Sequence, residues 1–318
     1  MLMRDTILSK GIRMPRLAVS RRLVGLFLFA LGLQAAGQMP AVAQERPSVV
    51  VSFTILADLV SAIGGERVDV TTIVGPGGDA HAFQPSPTDA RAVAEADLVV
   101  INGLGFEGWF DRLISATRYG GVTLVASEGV VPLSQDADAF GAQAGDPHAW
   151  QNVANARIYV ANIANALIRA DPGGASLYAA NLIDYGAKLD ELEDEIISAI
   201  GGIPEDHRTV VTSHDAFGYF AAAYSLVFVS PQGINPDALP GARGAADLIR
   251  QINADGIDAV FVEALADARL IEQIARETGA AIGGALYSDT LSAIDGPAST
   301  YLSMMRHNLN TLVSALSN

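Results

Sequence analysis

Three of the five histidines, His81, His148 and His214, each follow a short apolar run and sit among small or turn-forming residues. Asp289 has the same setting, in Tyr287-Ser288-Asp289 after the run 281–285. An imidazole nitrogen is a borderline donor and a carboxylate adds one anionic oxygen, so three neutral histidines and one aspartate make a four-donor set that suits zinc. His148 has the most distinctive surroundings. It lies between Pro147 and Trp150, at the end of a Gly/Ala/Asp-rich loop and just ahead of a long apolar-periodic segment, where it is placed to act as a loop ligand rather than as packing. Taken singly, each residue has a plainer reading. A histidine at a strand end often caps an element or faces solvent, and Asp289-Thr290 is a common way to start a turn or a helix. His207, in Pro204-Glu205-Asp206-His207-Arg208, reads as a solvated loop residue, and His307 falls off the apolar face of the last helix. Glu263, at another strand end, reads as a carboxylate that supports a ligand or as a polar terminus. Trp109 and Trp150 read as packing residues.

The elements that must position these residues alternate between strand and helix. A short apolar run at 48–53 has the character of a buried parallel strand, further strands are expected at 68–74, 98–101 and 122–125, and helical periodicity falls between them at 56–63, 88–96 and 106–117. After His148 a helix is expected over 153–170, stopped by Asp171-Pro172-Gly173-Gly174. The longest periodic segment follows, 175–200, with Tyr178, Leu182, Tyr185, Leu189, Leu192 and Ile196 on one face. The pattern then restarts, with strands at 209–212, 226–229, 259–262 and 281–285 and helices at 216–224, 245–255, 268–278 and 300–316. The expected fold is α/β: two lobes, each a mostly parallel four-stranded sheet flanked by helices, joined by one long helix. Residues 44–172 form the N-terminal lobe, 173–203 the linking helix and 204–318 the C-terminal lobe. Ligands of open parallel sheets bind beyond the carboxyl ends of the strands. The four candidates would therefore meet in the cleft between the lobes.

Composition narrows the function classes. Arg4, Lys10, Arg13, Arg16, Arg21 and Arg22 precede the apolar run 23–33, and Ala41-Val42-Ala43 fits a small-x-small cleavage site, so residues 1–43 read as a secretory signal peptide. The apolar run is about half of the roughly 20 residues a spanning helix needs. Ser20-Arg21-Arg22 also offers the arginine pair of twin-arginine export, but the residues after it match poorly. Cleavage would remove six basic residues and one acid, leaving 14 basic and 34 acidic residues and a net charge of −20. A chain this acidic has no electrostatic footprint for nucleic acid or anionic membranes. It contains no cysteine, hence no disulfide and no thiol for a lipid anchor. A soluble periplasmic protein is expected.

Five loops in order, 78–86, 102–109, 146–150, 212–220 and 287–289, give the chain a family resemblance. They are similar to those of the zinc- and manganese-binding solute-binding proteins of ABC transporters, the ZnuA/TroA-like family, and the likeness spans nearly all of the expected mature chain. It implies two α/β lobes joined by a rigid helix, with one metal ion held between them by His81, His148, His214 and Asp289. It also implies a membrane permease with its ATPase as partners, a periplasmic zinc chaperone as a further candidate, a monomeric state, and no catalysis. Two departures bear on the metal. The histidine-rich loop of many zinc-specific members is missing, since 134–145 holds Asp136 and Asp138 but no histidine; that resembles the AztC-type zinc proteins. The third ligand is His214, where manganese-binding members typically place glutamate. Manganese prefers more oxygen, so the expected cargo is Zn2+, with Mn2+ as the alternative. A zinc hydrolase is a poorer fit. Four protein ligands leave no position for water, and there is no His-Glu-x-x-His signature. An adhesin of the same fold is the remaining rival, and the missing cysteine argues against its display as a lipoprotein.

Overall fold

A computed structural model describes residues 46–133, 145–231, 242–265 and 267–317. The expected signal peptide 1–43 and nearly all of the histidine-free loop 134–145 lie outside the described residues. Strand β1 (Ser48–Phe53) runs directly into helix α1 (Thr54–Gly64), and β2 (Asp69–Val74), α2 (Pro87–Glu95), β3 (Leu98–Ile101), α3 (Phe110–Thr117) and β4 (Val122–Val125) follow. All pairings are parallel, in the order β2-β1-β3-β4. The central strands β1 and β3 carry the apolar runs Val49–Val51 and Leu98–Val100, fully buried because helices cover both their faces. The edge strand β4 leaves Val122 and Val125 exposed.

Helix α4 (Val153–Ala170) leads into α5 (Ala175–Gly201), which at 27 residues is about 40 Å long. Its face of Tyr178, Tyr185, Leu189, Leu192 and Ile196 is buried against α4, α1 and the last helix. The second half repeats the plan. It contains β5 (Thr209–Val211), α6 (Gly218–Tyr224), β6 (Val227–Val229), α7 (Ala242–Asp255), β7 (Ala259–Glu263), α8 (Ala268–Thr278), β8 (Ala281–Leu286) and α9 (Tyr301–Leu316). Its sheet is again parallel, in the order β6-β5-β7-β8.

Two helices start later than their periodicity predicts, and both delays serve the loops ahead of them. The helix expected from 106 begins at Phe110, because Gly103, Leu104 and Gly105 all take positive φ and the Glu107 carboxylate turns back onto the amides of Asn102 and Gly103. Gly103, at φ +84°, could not carry a side chain: a Cβ there would meet Val125. The helix expected from 216 begins at Gly218, since residues 213–217 are spent on the turn that follows β5, closed by the Ala216 amide on the His214 carbonyl.

Candidate metal centre

All four predicted residues lie just beyond the carboxyl ends of strands, as open parallel sheets dictate. His81 follows β2, His148 comes after β4 and shortly before α4, His214 follows β5 and Asp289 follows β8. The structure brings them together, with one donor atom from each within 4.8 Å of all the others. His81 Nε2 is 3.2 Å from His148 Nε2 and 3.5 Å from Asp289 Oδ2. His148 Nε2 is 3.5 Å from Asp289 Oδ1, and His214 Nε2 is 3.1 Å from Asp289 Oδ2. His148, His214 and Asp289 are buried, and the His81 side chain is 7 % exposed. Asp289 Oδ1 is a buried oxygen with no hydrogen-bond donor. A carboxylate oxygen in that condition normally has a cation to face.

Two of the imidazoles, those of His148 and His214, have a carboxylate behind them, and the backbone of His81 has one as well. Asp146 Oδ1 accepts from the backbone amide of His148 at 2.9 Å and lies 2.8 Å from its Nδ1, which leaves Nε2 to face the cluster. Asp79 Oδ1 likewise accepts from the amide of His81. Glu263 Oε1 accepts from the amides of Ser213 and His214, while its Oε2 sits 2.7 Å from His214 Nδ1. Phe106 packs edge-on to His81, with ring centroids 4.4 Å apart. Gly218 is required here, since a Cβ would stand 2.5 Å from Asp146 Oδ2.

The loops are tied in turn. Glu107, buried between Ser52 Oγ and the amides of residues 102 and 103, anchors the turn at Asn102. Burial pushes its carboxyl up, against the pull of those three donors. Asn102 Nδ2 donates to the Pro147 carbonyl next to His148, and Tyr159 holds Asn102 Oδ1.

The electrostatics of the four are coupled. Burial pushes the His214 imidazole down, but the Glu263 and Asp289 carboxylates outweigh it and hold the group well above the usual histidine range. Burial would raise Asp289; the facing His148 and His214 rings overcome it and hold the carboxyl well below the ordinary range. The cluster is thus a buried set of donors organised around one position of high demand for positive charge.

Of the residues the sequence left ambiguous, Glu263 is a carboxylate behind a ligand candidate. His207 and His307 lie elsewhere, bound to the carbonyls of Leu316 and Ala285. The tryptophans are buried as expected but are more than packing: Trp109 Nε1 donates to the carbonyl of Ala80 and Trp150 Nε1 to that of Ser288, each the residue before a site side chain. The roles of Asp146 and Asn102 were not foreseen. The repeated Asp-x-His of Asp79-Ala80-His81 and Asp146-Pro147-His148 was the signal that could have revealed the first.

The profile of a protein family described as zinc-uptake complex component A, periplasmic, matches residues 49–315. The manganese-binding lipoprotein MntA of Halalkalibacterium halodurans is 34% identical over 310 residues, covering 96% of this chain and 100% of its own. The iron-binding protein YfeA of Yersinia pestis is 33% identical, covering 86% of this chain and 89% of its own. Among solved structures, the periplasmic zinc binding protein TroA from Treponema pallidum superposes with a TM-score of 0.81 at 27% identity, over 86% of this chain and 100% of that one.

Proposed function

The chain belongs to this family of periplasmic metal-binding components of ABC transporters, and from that premise we propose that its cargo is Zn2+, held by His81, His148, His214 and Asp289 and handed to a membrane permease driven by its ATPase. The observation that carries the reading is the convergence of one donor atom from each of four loops. A tetrahedral zinc shell with bonds of about 2.0–2.2 Å places its donors about 3.3–3.6 Å apart. At their nearest contacts the four side chains here lie 3.1 to 3.5 Å apart, with both oxygens of Asp289 taking part. Three nitrogens and one oxygen favour zinc over manganese, which seeks more oxygen. Four protein donors fill the shell and leave no water to activate, which supports binding and transfer rather than hydrolysis.

Manganese is the second reading, supported by the similarity to the manganese-binding lipoprotein of Halalkalibacterium halodurans. Competitive titration of the metal-free protein with Zn2+ and Mn2+, alongside His214→Glu, separates the two. Zinc should bind the unaltered protein more tightly and lose ground to manganese in the variant; tighter manganese binding by the unaltered protein would make zinc the wrong cargo. In the same reading, residues 44–172 and 204–318 are the two lobes and 173–203 the link between them. The leader 1–43 is removed on export, and the cysteine-free chain works as a soluble monomer, receiving metal from solution or from a periplasmic zinc chaperone.

A further inference from the structure

Asp289 follows the last strand of the second sheet, yet the backbone around it is bonded to the first. The Ser288 carbonyl accepts from both Trp150 Nε1, at 2.9 Å, and Gln151 Nε2, at 3.0 Å. On the other side, the Leu291 amide donates to Thr54 Oγ1 at 2.8 Å, and the Gly77 amide donates to Thr290 Oγ1 at 3.2 Å. Thr54 belongs to the junction of β1 and α1, Gly77 to the loop that delivers His81, and Trp150 and Gln151 to the turn after His148. The docking continues to the start of α9, where the Tyr301 amide donates to Asp58 Oδ2 and the Tyr301 hydroxyl to the Trp150 carbonyl. The stretch 288–301 thus leaves the second sheet after Tyr287, whose amide and carbonyl are still held by Asn308, and crosses to the first.

His214 is anchored differently. Its amide, the amide of Ser213 and its Nδ1 all face Glu263 at the end of β7, and the Thr212 amide donates to the Val229 carbonyl of β6. Helix α6 does touch the first lobe, through the Tyr219 hydroxyl at Leu133 and Asp146 and the Tyr224 hydroxyl at Val153, but these lie five and ten residues beyond His214. The anchor of the imidazole itself is in the second sheet.

We infer that His81, His148 and Asp289 form one fixed unit in the frame of the first lobe, that Thr54 and Gln151 are positioning residues for Asp289, and that His214 is the ligand whose departure opens the site. The inference rests on the four-ligand reading above. Release then requires only the Glu263–His214 turn to withdraw, leaving the ion on three ligands and one open position for an acceptor from the permease.

Hydrogen exchange of the full mature chain, metal-free and loaded with zinc alone, tests this without any substitution. Amides of 212–217 should gain about tenfold or more protection on loading, while those of 287–292 keep the same protection in both states. Equal gains in both segments, or none in 212–217 while 77–83 and 146–151 respond, would overturn the inference and leave the four-ligand site standing. If no segment responds to zinc, the site reading itself fails and the inference with it. A second arm follows zinc release to a chelator by stopped flow. The double variant Thr54→Val/Gln151→Leu should release zinc about tenfold faster, as loss of an orienting partner commonly does to affinity, with an unaltered circular dichroism spectrum. Restoring the hydroxyl as Thr54→Ser beside Gln151→Leu should recover part of that loss. A folded double variant with an unaltered release rate would show that Asp289 is not positioned by these bonds.

Discussion

His214 faces two carboxylates at once, Glu263 at Nδ1 and Asp289 at Nε2, and in the metal-free protein they hold it protonated above the ordinary histidine range. A protonated imidazole cannot ligate, so metal must displace a proton, and affinity should rise with pH through neutrality. Titration calorimetry at pH 7 in buffers of different ionisation enthalpy should report about one proton released per zinc bound; no proton release would contradict the assigned state of His214. The sign for the metal-free fold is the reverse. A raised histidine contributes stability that is complete below its unfolded value, about 6.5, and is lost as pH rises through the folded value. Metal-free protein should therefore lose stability toward alkaline pH, checked by melting temperatures across pH 6 to 9. Behind the proposed ligands, Asp146→Asn and Glu263→Gln should each weaken zinc binding about 10- to 100-fold without unfolding the chain. Competition against a chelating dye measures this, and unchanged affinity in both would remove their orienting role.

Helix α5 is the element on which much of the packing depends. Its buried face meets α1, α4 and α9, while Ile183 and Ile197 point to solvent. Ile196→Ala should cost about 2–5 kcal/mol, since it opens a cavity in a packed interface. Ile197→Ser, one residue on and 55% exposed, should change stability by no more than about 0.5 kcal/mol. Urea unfolding of the two variants decides whether the helix face is as described; similar losses would mean it is not. The site elements obey the same economy. The turn 102–109 and the turn 213–217 give up helical residues so that Glu107 can organise Asn102 and so that His214 can face the cluster.

At the scale of the whole molecule, the two sheets are linked through the bonds that dock 288–301 onto the first lobe as well as through α5. Wide opening would have to break them together. Small-angle scattering of metal-free and zinc-loaded protein should accordingly give nearly the same radius of gyration, and a large expansion on metal removal would exclude release by local movement. Binding to the folded state alone also stabilises it. At free zinc about 1,000 times Kd the gain is about 4 kcal/mol, so chelation should lower the melting temperature and re-addition of zinc should restore it.

The sequence by itself determined the order of strands and helices, the four residues that gather at the strand ends, and Glu263 as a possible support, because hydrophobic period and strand-end position are local properties. The identity of each donor set also follows from residue type alone. What only the tertiary structure decided is how those residues are held. The Asn102 bond to Pro147 spans 45 positions and the Trp150 bond to Ser288 spans 138, and no local pattern in a single chain encodes such pairings. The membership of Asp289 is the clearest case. Chain order assigns it to the second lobe because it follows β8, but the hydrogen bonds on both sides of it bind it to the first. Frames of motion are set by which contacts are shared, and those form only when the chain has closed on itself.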